Sequence, residues 1–533
     1  MFKSIIRIPD FVEIQTANGW KDAVKRDADF STDAIEVSFK ENNGALDVIA
    51  SETREPVLRI RVRWNDDFTF VKRVLGDAPG VEFGDMGWMP VIPEKHHAWY
   101  LQCFDGTFTH GYGVKTGCNS FVFWQLDPEG LTATFDIRNG GNGVMLKRSL
   151  EVATVVVREG KDGESAYQAC RAFCRAMCEK PNLPTRPIFG LNNWYYAYGN
   201  ITRESVIVDT ALTAELCAHT KNRPFMVIDD GWQIRHNENK SEYNGGPFLP
   251  SANFRDMKEL AAEMSEMGCE PGIWIRPLLT KDGFHESLYH PRHLGTENGY
   301  FLDPSKQGVL DYVAELVSGI ANDGYKLIKY DFTAPDMLTA HIMDEIYLKE
   351  NITDGGWQFD DNTVTNAEII KKLYTTIQKA AGDTLIMGCN TYNHLAAGIH
   401  QISRSGLDTS GFDWQKTRKC GINSLAYRLP QNNTFFITDP DCAAITPNVS
   451  TELNLRFFEA CALSGTSLFI SITPGMLSDA DKKRLMDSFA IADRGVTMEP
   501  VDWFDTNCPR QYMAEGKLHT FNWYDVTKGV NVY

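Results

Sequence analysis

The hydrophobic pattern of the chain changes near residue 180. Residues 1 to about 160 alternate apolar and polar positions in short runs punctuated by Gly, Asn and Asp, for example 34–40, 57–64 and 131–137. This pattern is typical of an antiparallel β-sandwich. A helical pattern follows at 164–179, and three prolines within Lys180–Pro187 indicate a linker. We therefore expect an N-terminal β-sandwich domain with its linker helix over residues 1–180.

Beyond the linker, short apolar runs alternate with amphipathic helical patterns. Such alternation predicts a parallel barrel, and eight runs are enough to close a (β/α)8 TIM barrel over residues 185–495. The last forty residues return to strand-like alternation, which predicts a short C-terminal β element over 496–533. The predicted barrel strands are 188–194, 225–229, 272–276, 327–331, 385–389, 401–404, 435–439 and 467–472, and predicted helices between them are 204–219, 257–264, 309–321, 367–381 and 453–463.

Composition limits the partners of the chain. Its 533 residues are 43% hydrophobic, which suits large buried cores, and the net charge of −17 argues against a nucleic-acid partner. Arg7 and Pro9 interrupt the N-terminal apolar stretch too early for a signal peptide, and no run of eighteen apolar residues follows. We expect a soluble protein without a membrane partner, cytoplasmic as given and periplasmic or secreted if a signal peptide was removed. Homo-oligomerisation is left open.

No metal site or cofactor is expected. The 12 cysteines contain no C-x-x-C pair, and Cys170, Cys174 and Cys178 share one helix face, as packing residues do. The histidines at 285, 290 and 293 lie in a loop pattern, and neither H-x-H nor H-E-x-x-H occurs. A metal-dependent hydrolase is the least favoured class.

Acidic side chains follow the predicted barrel strands. The carboxyl ends of parallel strands meet at one rim, where barrel active sites lie, whereas a carboxylate inside a strand would be costly to bury. Carboxylates around a cavity with tryptophans beside them suit a carbohydrate, although each tryptophan alone is equally explained by packing. The residues concerned are Asp229 and Asp230 at strand two, Asp331 at strand four, Arg404 and Asp408 at strand six, Asp439 and Asp441 at strand seven, and Trp194, Trp232 and Trp274.

Six segments occur in the order of a known motif series. They are Asp229-Asp-Gly-Trp232, Gly272-Ile-Trp-Ile-Arg-Pro277, Tyr300-Phe-Leu-Asp-Pro-Ser305, Lys329-Tyr-Asp331, Arg404-Ser-Gly-Leu-Asp408 and Asp439-Pro-Asp441. Together they resemble the retaining α-galactosidases of glycoside hydrolase families 27 and 36. The resemblance covers residues 185–475, and the β-rich domain ahead of the barrel is closer to the family 36 layout.

The resemblance implies two catalytic aspartates. Asp331 matches the nucleophile, which forms a covalent glycosyl-enzyme intermediate, and Asp408 matches the general acid/base. Lys329, two residues before Asp331, projects from the same strand face and favours an ionised carboxylate. A retaining pair stands ~5 to 5.5 Å apart. Asp413, five residues after Asp408, competes for the acid/base role.

The resemblance also implies sugar-binding residues. Asp229 and Asp230 match a pair that binds the galactose hydroxyls at carbons four and six, and Arg404 matches an arginine near carbons two and three. Asp441 matches a more weakly assigned aspartate that is equally explained as structural. At strand five, Asn390 stands where family 27 has the charged residue of a Cys-Glu pair.

Strand five therefore leaves the sugar open. An N-acetylgalactosamine or an L-arabinopyranose is an alternative ligand, and a transglycosylase or a noncatalytic sugar-binding protein is an alternative function. His110 and Tyr112 are candidates for a contribution of the N-terminal domain to the cleft rim.

Overall fold

A computed structural model describes residues 2–81, 84–237, 243–292, 299–338 and 352–524. Within these ranges no helix has both the length and the apolar character needed to cross a membrane.

The N-terminal part is one continuous antiparallel sheet of 13 strands. Sheets of this size curl, because strand twist accumulates across them, so that parts of one face pack against each other. The sequence predicted an antiparallel β-sandwich, and the hydrogen bonding in this part of the chain is continuous from one end of the sheet to the other. In sheet order the strands are Gly19–Asp22, Phe11–Thr16, Val57–Asn65, Gly130–Asp136, Phe121–Asp127, His97–Phe104, Thr109–Val114, Leu150–Arg158, Ala45–Ala50, Glu36–Asn42, Asp29–Ser31 and Val24–Arg26, with Arg73–Asp77 paired to His97–Phe104 off this path.

The second sheet is parallel and has nine strands. Its two edge strands, Ile437–Asp439 and Cys442–Ile445, are separated by only two residues, so the sheet must curl until its edges meet. Ser467 N donates to Thr438 O at 3.0 Å across this junction. From one edge to the other the strands are Ile437–Asp439, Ile402–Arg404, Leu385–Gly388, Leu327–Tyr330, Glu270–Ile275, Phe225–Ile228, Phe189–Asn192, Leu468–Ile472 and Cys442–Ile445.

All eight predicted barrel strands are present, each within a few residues of its predicted bounds. The prediction missed the strand after Pro440, because Asp439, Pro440 and Asp441 read as the end of one strand. Proline has no N–H for a ladder and Asp441 is left-handed at φ 72°, so the seventh strand is split into two pieces that pair with different neighbours.

Helices pack on both sheets: Ala166–Met177 lies against strands of the N-terminal sheet, and the longer helices after it cover the parallel sheet. Four helices begin with a reciprocal capping box, at Ser165, Thr202, Thr365 and Ser478. The α-helices are Ala166–Met177, Trp194–Ala197, Arg203–Leu216, Met257–Glu266, Gln307–Asn322, Thr333–Leu338, Asn366–Ala381, Asn393–Ala396, Trp414–Lys416, Ser424–Arg428, Thr451–Ser464 and Asp479–Asp493, with a π-helix at Thr417–Asn423 and 3-10 turns at Glu286–Leu288 and Leu429–Gln431.

Two small antiparallel units complete the structure. Leu279–Thr280 pairs with Tyr300–Phe301, and Met498–Pro500, Gln511–Ala514 and Lys517–Thr520 form a three-stranded sheet near the C-terminus. The latter is the β structure that the sequence predicted there.

The N-terminal sheet is tied to the parallel sheet by a buried ion pair. Arg428 Nε and Nη2 each lie 2.8 Å from Asp77 Oδ1, and Arg428 Nη1 donates to Ser405 O at 2.7 Å. Beside this pair, Trp99 stacks on His394 with ring centroids 4.9 Å apart. The strand end that carries Arg404 is thus braced from the N-terminal side.

Candidate active site at the carboxyl ends of the parallel strands

Asp331 directly follows the strand Leu327–Tyr330 and is buried. Its carboxylate accepts three hydrogen bonds: from Asn390 Nδ2 at 2.6 Å, from Phe332 N at 2.7 Å and from Trp274 Nε1 at 3.1 Å. Donors from three chain segments therefore fix the orientation of this carboxylate before any ligand binds.

The backbone around Asp331 is held in an unusual conformation. Phe332 and Asn390 are both left-handed, at φ 61° and 49°, and for a bulky residue such as Phe332 this region is strained. The guanidinium of Arg276 lies 4.2 Å from the centroid of the Phe332 ring and donates from Nε to Asp336 Oδ2 at 2.9 Å. This contact and ion pair hold the turn that aims Asp331 into the site.

Lys329 and Asp229 form a buried ion pair below Asp331. Lys329 Nζ lies 2.8 Å from Asp229 Oδ2, which also accepts from Asn192 Nδ2 at 2.6 Å. Burial opposes the charge of the lysine, but the negative charge of Asp229 outweighs it and the pKa of Lys329 is raised well above its usual value. The pair places one fixed cation and one fixed anion on the floor of the site.

Asp230 lies beside Asp229 and has its own partners. Gln233 Nε2 donates to Asp230 Oδ1 at 2.7 Å, and His236 Nδ1 lies 3.3 Å from the same oxygen. Gly199 leaves the room for this histidine, because a Cβ at Gly199 would lie 2.4 Å from His236 Nε2. Asp229 and Asp230 therefore present carboxylates in a fixed arrangement at the end of one strand.

Arg404 is the centre of the opposite side. Its Nε donates to Asp439 Oδ2 at 3.0 Å, and its Nη1 donates to Asp441 Oδ2 at 2.8 Å and to Asp408 Oδ1 at 3.1 Å. The guanidinium is buried, so it depends on these three carboxylates for its stability.

Asp441 is occupied by protein partners. Besides Arg404, its carboxylate accepts from Thr409 N at 2.9 Å, from the Tyr195 hydroxyl and from Cys442 N at 2.8 Å. Burial alone would raise the pKa of Asp441, but the positive charges of Arg404 and Lys329 lower it below its usual value. Asp441 thus acts as the anionic anchor of Arg404 and of the segment after Asp408.

Asp408 differs from the other carboxyls because 47% of its side chain is exposed. The walls of the cleft restrict solvation of the charged form of Asp408 and raise its pKa. The positive charge of Arg404 lowers this pKa, whereas the negative charges of Asp441 and Asp331 raise it further. An open carboxyl group with a raised pKa is suited to give up a proton to a bound ligand.

A small pocket of about 10 Å³, roughly the room for one water molecule, lies between the two sides of the site. Polar and apolar side chains line it together. The lining residues are Asn192, Val227, Lys329, Met387, Arg404, Asp439, Asp441, Cys442 and Phe469.

The three tryptophans have different environments. Trp232 is buried against Phe248 and donates from Nε1 to Trp274 O at 2.9 Å, so its ring packs in the protein interior. A role of Trp232 in sugar binding stays a prediction. Trp274 is also buried, but it acts on the site through its hydrogen bond to Asp331. Trp194 is only partly buried and contacts Tyr198 with ring centroids 5.3 Å apart.

Three further candidates lie outside the cluster. Asp413 is exposed and accepts from Gln415 N at 2.8 Å as the N-cap of a short helix. His110 pairs with Asp105 at 3.2 Å, and the Tyr112 hydroxyl donates to Lys3 O at 2.9 Å. Both side chains are buried and both contacts join residues of the N-terminal part of the chain, so neither side chain is seen to reach the cleft rim.

The described parts of the chain hold no group of three His, Cys, Asp or Glu side chains arranged for a metal ion. All 12 cysteines are free and buried. His290 Nε2 donates to Met337 O at 2.9 Å, and position 293 lies outside the described residues.

Several residues of the site were not identified from the sequence. Asn192 ends the strand Phe189–Asn192 and Asn193 follows it, a position that signals the rim in the same way as the acids do. Asn192 Nδ2 donates to Asp229 Oδ2, and Asn193 Oδ1 accepts from Asp229 N. Tyr195 acts through Asp441 and Arg276 through Asp336, partners distant in the sequence, whereas His236 contacts Asp230 six positions away.

Sequence comparisons find distant relatives. No family model matches the chain. The α-galactosidase AgaA of Geobacillus stearothermophilus is 24% identical over 212 residues, or 33% of this chain and 28% of that protein. The bifunctional α-galactosidase/sucrose kinase AgaSK of Mediterraneibacter gnavus is 26% identical over 319 residues, or 57% of this chain and 30% of that protein. The chain therefore spans less than a third of these curated relatives.

Structural comparisons extend over nearly the whole chain. TtGalA, an α-galactosidase from Thermus thermophilus in complex with p-nitrophenyl α-D-galactopyranoside, has a TM-score of 0.63 at 16% identity, covering 96% of this chain and 99% of that one. The GH36 α-galactosidase AgaA from Geobacillus stearothermophilus has a TM-score of 0.60 at 14% identity, covering 95% and 79%. The chain shares its fold with the GH36 α-galactosidases.

Proposed function

We propose that this chain is a retaining exo-glycosidase that hydrolyses terminal α-linked galactose, with Asp331 as nucleophile and Asp408 as general acid/base. The observation that carries the proposal is the contrast between the two carboxyl groups. Asp331 is held by three hydrogen-bond donors, whereas Asp408 is half exposed and has a raised pKa. Double displacement requires one carboxylate fixed for attack and one carboxyl group that carries a proton.

In the first step, an Asp331 oxygen attacks the anomeric carbon and the bond from that carbon to the glycosidic oxygen breaks. Asp408 gives its proton to this oxygen, and the aglycone leaves as an alcohol. In the second step, the Asp408 carboxylate takes a proton from water, the water oxygen attacks the anomeric carbon, and the ester bond to Asp331 breaks. Two inversions return the sugar with its original configuration.

The remaining residues of the site bind the sugar in this proposal. Asp229 and Asp230 accept from the hydroxyls at carbons four and six, Arg404 donates near carbons two and three, and Lys329 supports them with its charge. Asn390 holds the nucleophile and faces the second carbon with a neutral amide. Trp194 presents its partly open ring to the substrate, and Asp441 contributes by holding Arg404 in place.

The substrate class follows the named relatives. TtGalA has been solved with p-nitrophenyl α-D-galactopyranoside and with stachyose, and a GH36 AgaA variant has been solved with raffinose. We extend this chemistry to the present chain and propose oligosaccharides with a terminal α-galactose as its small-molecule substrates, with no cofactor.

We further propose a division of the chain into three parts. Residues 1–180 would form an N-terminal β-sandwich domain with its linker helix, residues 185–495 the (β/α)8 catalytic barrel, and residues 496–533 the C-terminal β element. The two-residue connection between opposite edges of the parallel sheet supports closure of the barrel.

The test combines a substrate panel with azide rescue. Wild type is expected to release p-nitrophenol from the p-nitrophenyl α-galactoside. Asp331→Ala and Asp408→Ala are both expected to lose activity, and for Asp408→Ala the loss on natural linkages is expected to be about 10²- to 10⁴-fold. Azide added to Asp331→Ala attacks from the vacated side and yields the β-galactosyl azide. Azide added to Asp408→Ala attacks the covalent intermediate and yields the α-galactosyl azide.

Asp413→Ala is the matched control, because it removes a nearby carboxyl group that caps a helix on the surface. It is expected to retain wild-type turnover. Rescue of Asp413→Ala by azide would move the acid/base role to that residue. Release only from the α-N-acetylgalactosaminide or the β-L-arabinopyranoside would keep the mechanism and change the sugar. Binding of galactose without turnover of any glycoside would indicate a sugar-binding protein instead.

A further inference from the structure

Three aromatic side chains form a contiguous series at the rim of the site. Phe412 is exposed over 61% of its surface, and its ring centroid lies 4.9 Å from that of Tyr198. Tyr198 in turn lies 5.3 Å from Trp194, which is partly buried. We call Phe412, Tyr198 and Trp194 the aromatic rim. The ring planes are tilted by 33° between Phe412 and Tyr198 and by 57° between Tyr198 and Trp194. Single exposed apolar residues are common on protein surfaces, but a contiguous aromatic series beside a cleft is not explained by that alone.

The backbone holds the aromatic rim in place. Tyr198 is left-handed at φ 47° and accepts at its hydroxyl from Gly411 N at 3.0 Å. Gly411 permits this approach, because a Cβ there would lie 2.0 Å from Tyr195 O. The segment that carries Phe412 is therefore docked tightly onto the turn that carries Tyr195 and Tyr198.

The aromatic rim adjoins Asp408. Phe412 lies four residues after Asp408. Thr409, which follows Asp408, and Tyr195, which precedes Tyr198, both donate to the carboxylate of Asp441. Burial raises the pKa of Tyr198, and the negative charge of Asp408 contributes in the same direction, which reflects their proximity.

We propose that the aromatic rim binds the sugar ring attached through the glycosidic oxygen, that is, the leaving group in hydrolysis and the acceptor in transfer. The inference rests on the proposed function. Because Asp408 gives its proton to the glycosidic oxygen, the group beyond that oxygen must lie on the Asp408 side of the cleft. A pyranose ring presents an apolar C–H face, for which an open aromatic ring is the matching surface.

The test compares a substrate that has a leaving sugar with one that has none. Raffinose carries a leaving saccharide, whereas the fluoride of α-galactosyl fluoride reaches no aromatic surface and needs no proton from Asp408. Phe412→Ala is expected to lower the ratio of kcat/KM for raffinose to kcat/KM for α-galactosyl fluoride about 3- to 10-fold, the range for loss of one aromatic contact. Phe412→Tyr is expected to restore the ratio, since it keeps the ring.

Phe11→Ala is the matched control, because Phe11 is also exposed over 61% of its surface but lies on a strand of the N-terminal sheet. An unchanged ratio in Phe412→Ala, or an equal change in Phe11→Ala, overturns the inference. If wild type cleaves neither substrate, the proposed function itself fails, and the inference fails with it. Cleavage of both substrates with a ratio insensitive to Phe412 refutes only the aromatic rim.

Transfer gives a second readout of the same surface. With α-galactosyl fluoride as donor and sucrose as acceptor, the wild-type product mixture reports the partition of the covalent intermediate between sucrose and water. Phe412→Ala is expected to lower the transfer-to-hydrolysis ratio by a similar factor. An unchanged partition contradicts a shared site for the leaving and accepting sugar.

Discussion

Replacing Asn390 by aspartate tests whether Asp331 acts as an ionised nucleophile. The substitution keeps the size of the side chain but exchanges a donor for a second carboxyl group. Asn390 Nδ2 lies 2.6 Å from Asp331 Oδ1, so the two carboxyl groups of Asn390→Asp would be in direct contact. Two carboxylates at this distance share a proton instead of both ionising.

The size of the effect follows from the distance. Two unit charges about 3 Å apart repel by about 5 kcal/mol at an effective dielectric constant near 20. This energy corresponds to about four pH units of titration of the pair. Asn390→Ala loses only a charge-assisted hydrogen bond, worth about 1.5 to 3 kcal/mol, and introduces no like charge.

The assay is the pH dependence of kcat/KM for p-nitrophenyl α-galactoside in wild type, Asn390→Asp and Asn390→Ala. The acid limb reports the ionised base of the free enzyme. Because only the second ionisation of the pair is raised, we expect the profile of Asn390→Asp to carry an additional step at least about two pH units above the acid limb of Asn390→Ala. Identical profiles in the two variants would refute direct contact of residue 390 with a group that ionises in the reaction.

Three further predictions concern charge and stability. Asp77→Ala leaves the buried guanidinium of Arg428 without its carboxylate and is expected to lower the free energy of unfolding by about 3 to 5 kcal/mol in a urea titration; wild-type stability would contradict the buried pair. Because Asp408 must be protonated in the first step, activity falls as pH rises through the pKa of Asp408. Asp441→Asn removes a negative charge that raises this pKa and is therefore expected to move the alkaline limb of kcat/KM to lower pH. A shift of that limb to higher pH would contradict the charge network. Burial raises the pKa of Asp209 to about 7, above its value in an unfolded chain. The preference of the folded state for the protonated carboxyl group therefore contributes fully to stability below about pH 4 and is lost as pH rises to 7, at a cost of about 4 kcal/mol. Asp209→Asn is therefore expected to be more stable than wild type at pH 8 relative to pH 5 in chemical denaturation, and parallel stability curves for the two proteins would exclude this cause.

The strands of the parallel sheet were predictable from sequence because most are short apolar runs that end in polar residues. Phe225–Ile228 before Asp229 and Leu327–Tyr330 before Asp331 are examples. The same local signal locates the rim, since parallel strands all end on one side.

The contacts that organise the site were not predictable. Arg276 pairs with Asp336 across sixty positions, and its guanidinium lies over Phe332, an arrangement that only the folded chain brings about. The left-handed backbone of Phe332 was equally hidden, because phenylalanine does not favour it. The burial of Trp232 was hidden for the related reason that a tryptophan at a strand end is apolar enough to turn into the core.

The N-terminal sheet shows a third kind of limit. Alternation of apolar and polar positions reports which face of a strand is buried, but it carries no information on which strands pair. The continuous order of hydrogen-bonded strands, in which Leu150–Arg158 pairs with Ala45–Ala50, therefore could not be obtained from the pattern.

The closing of the parallel sheet has a consequence for synthesis on the ribosome. The strand Phe189–Asn192 pairs on one side with Leu468–Ile472, which is made about 280 residues later. At ribosomal rates of about 5 to 20 residues per second, the edge of Phe189–Asn192 waits roughly 15 to 55 seconds for its partner. An unpaired apolar strand edge is a template for aggregation. The edge of Phe189–Asn192 therefore needs to be covered until Leu468–Ile472 emerges from the ribosome.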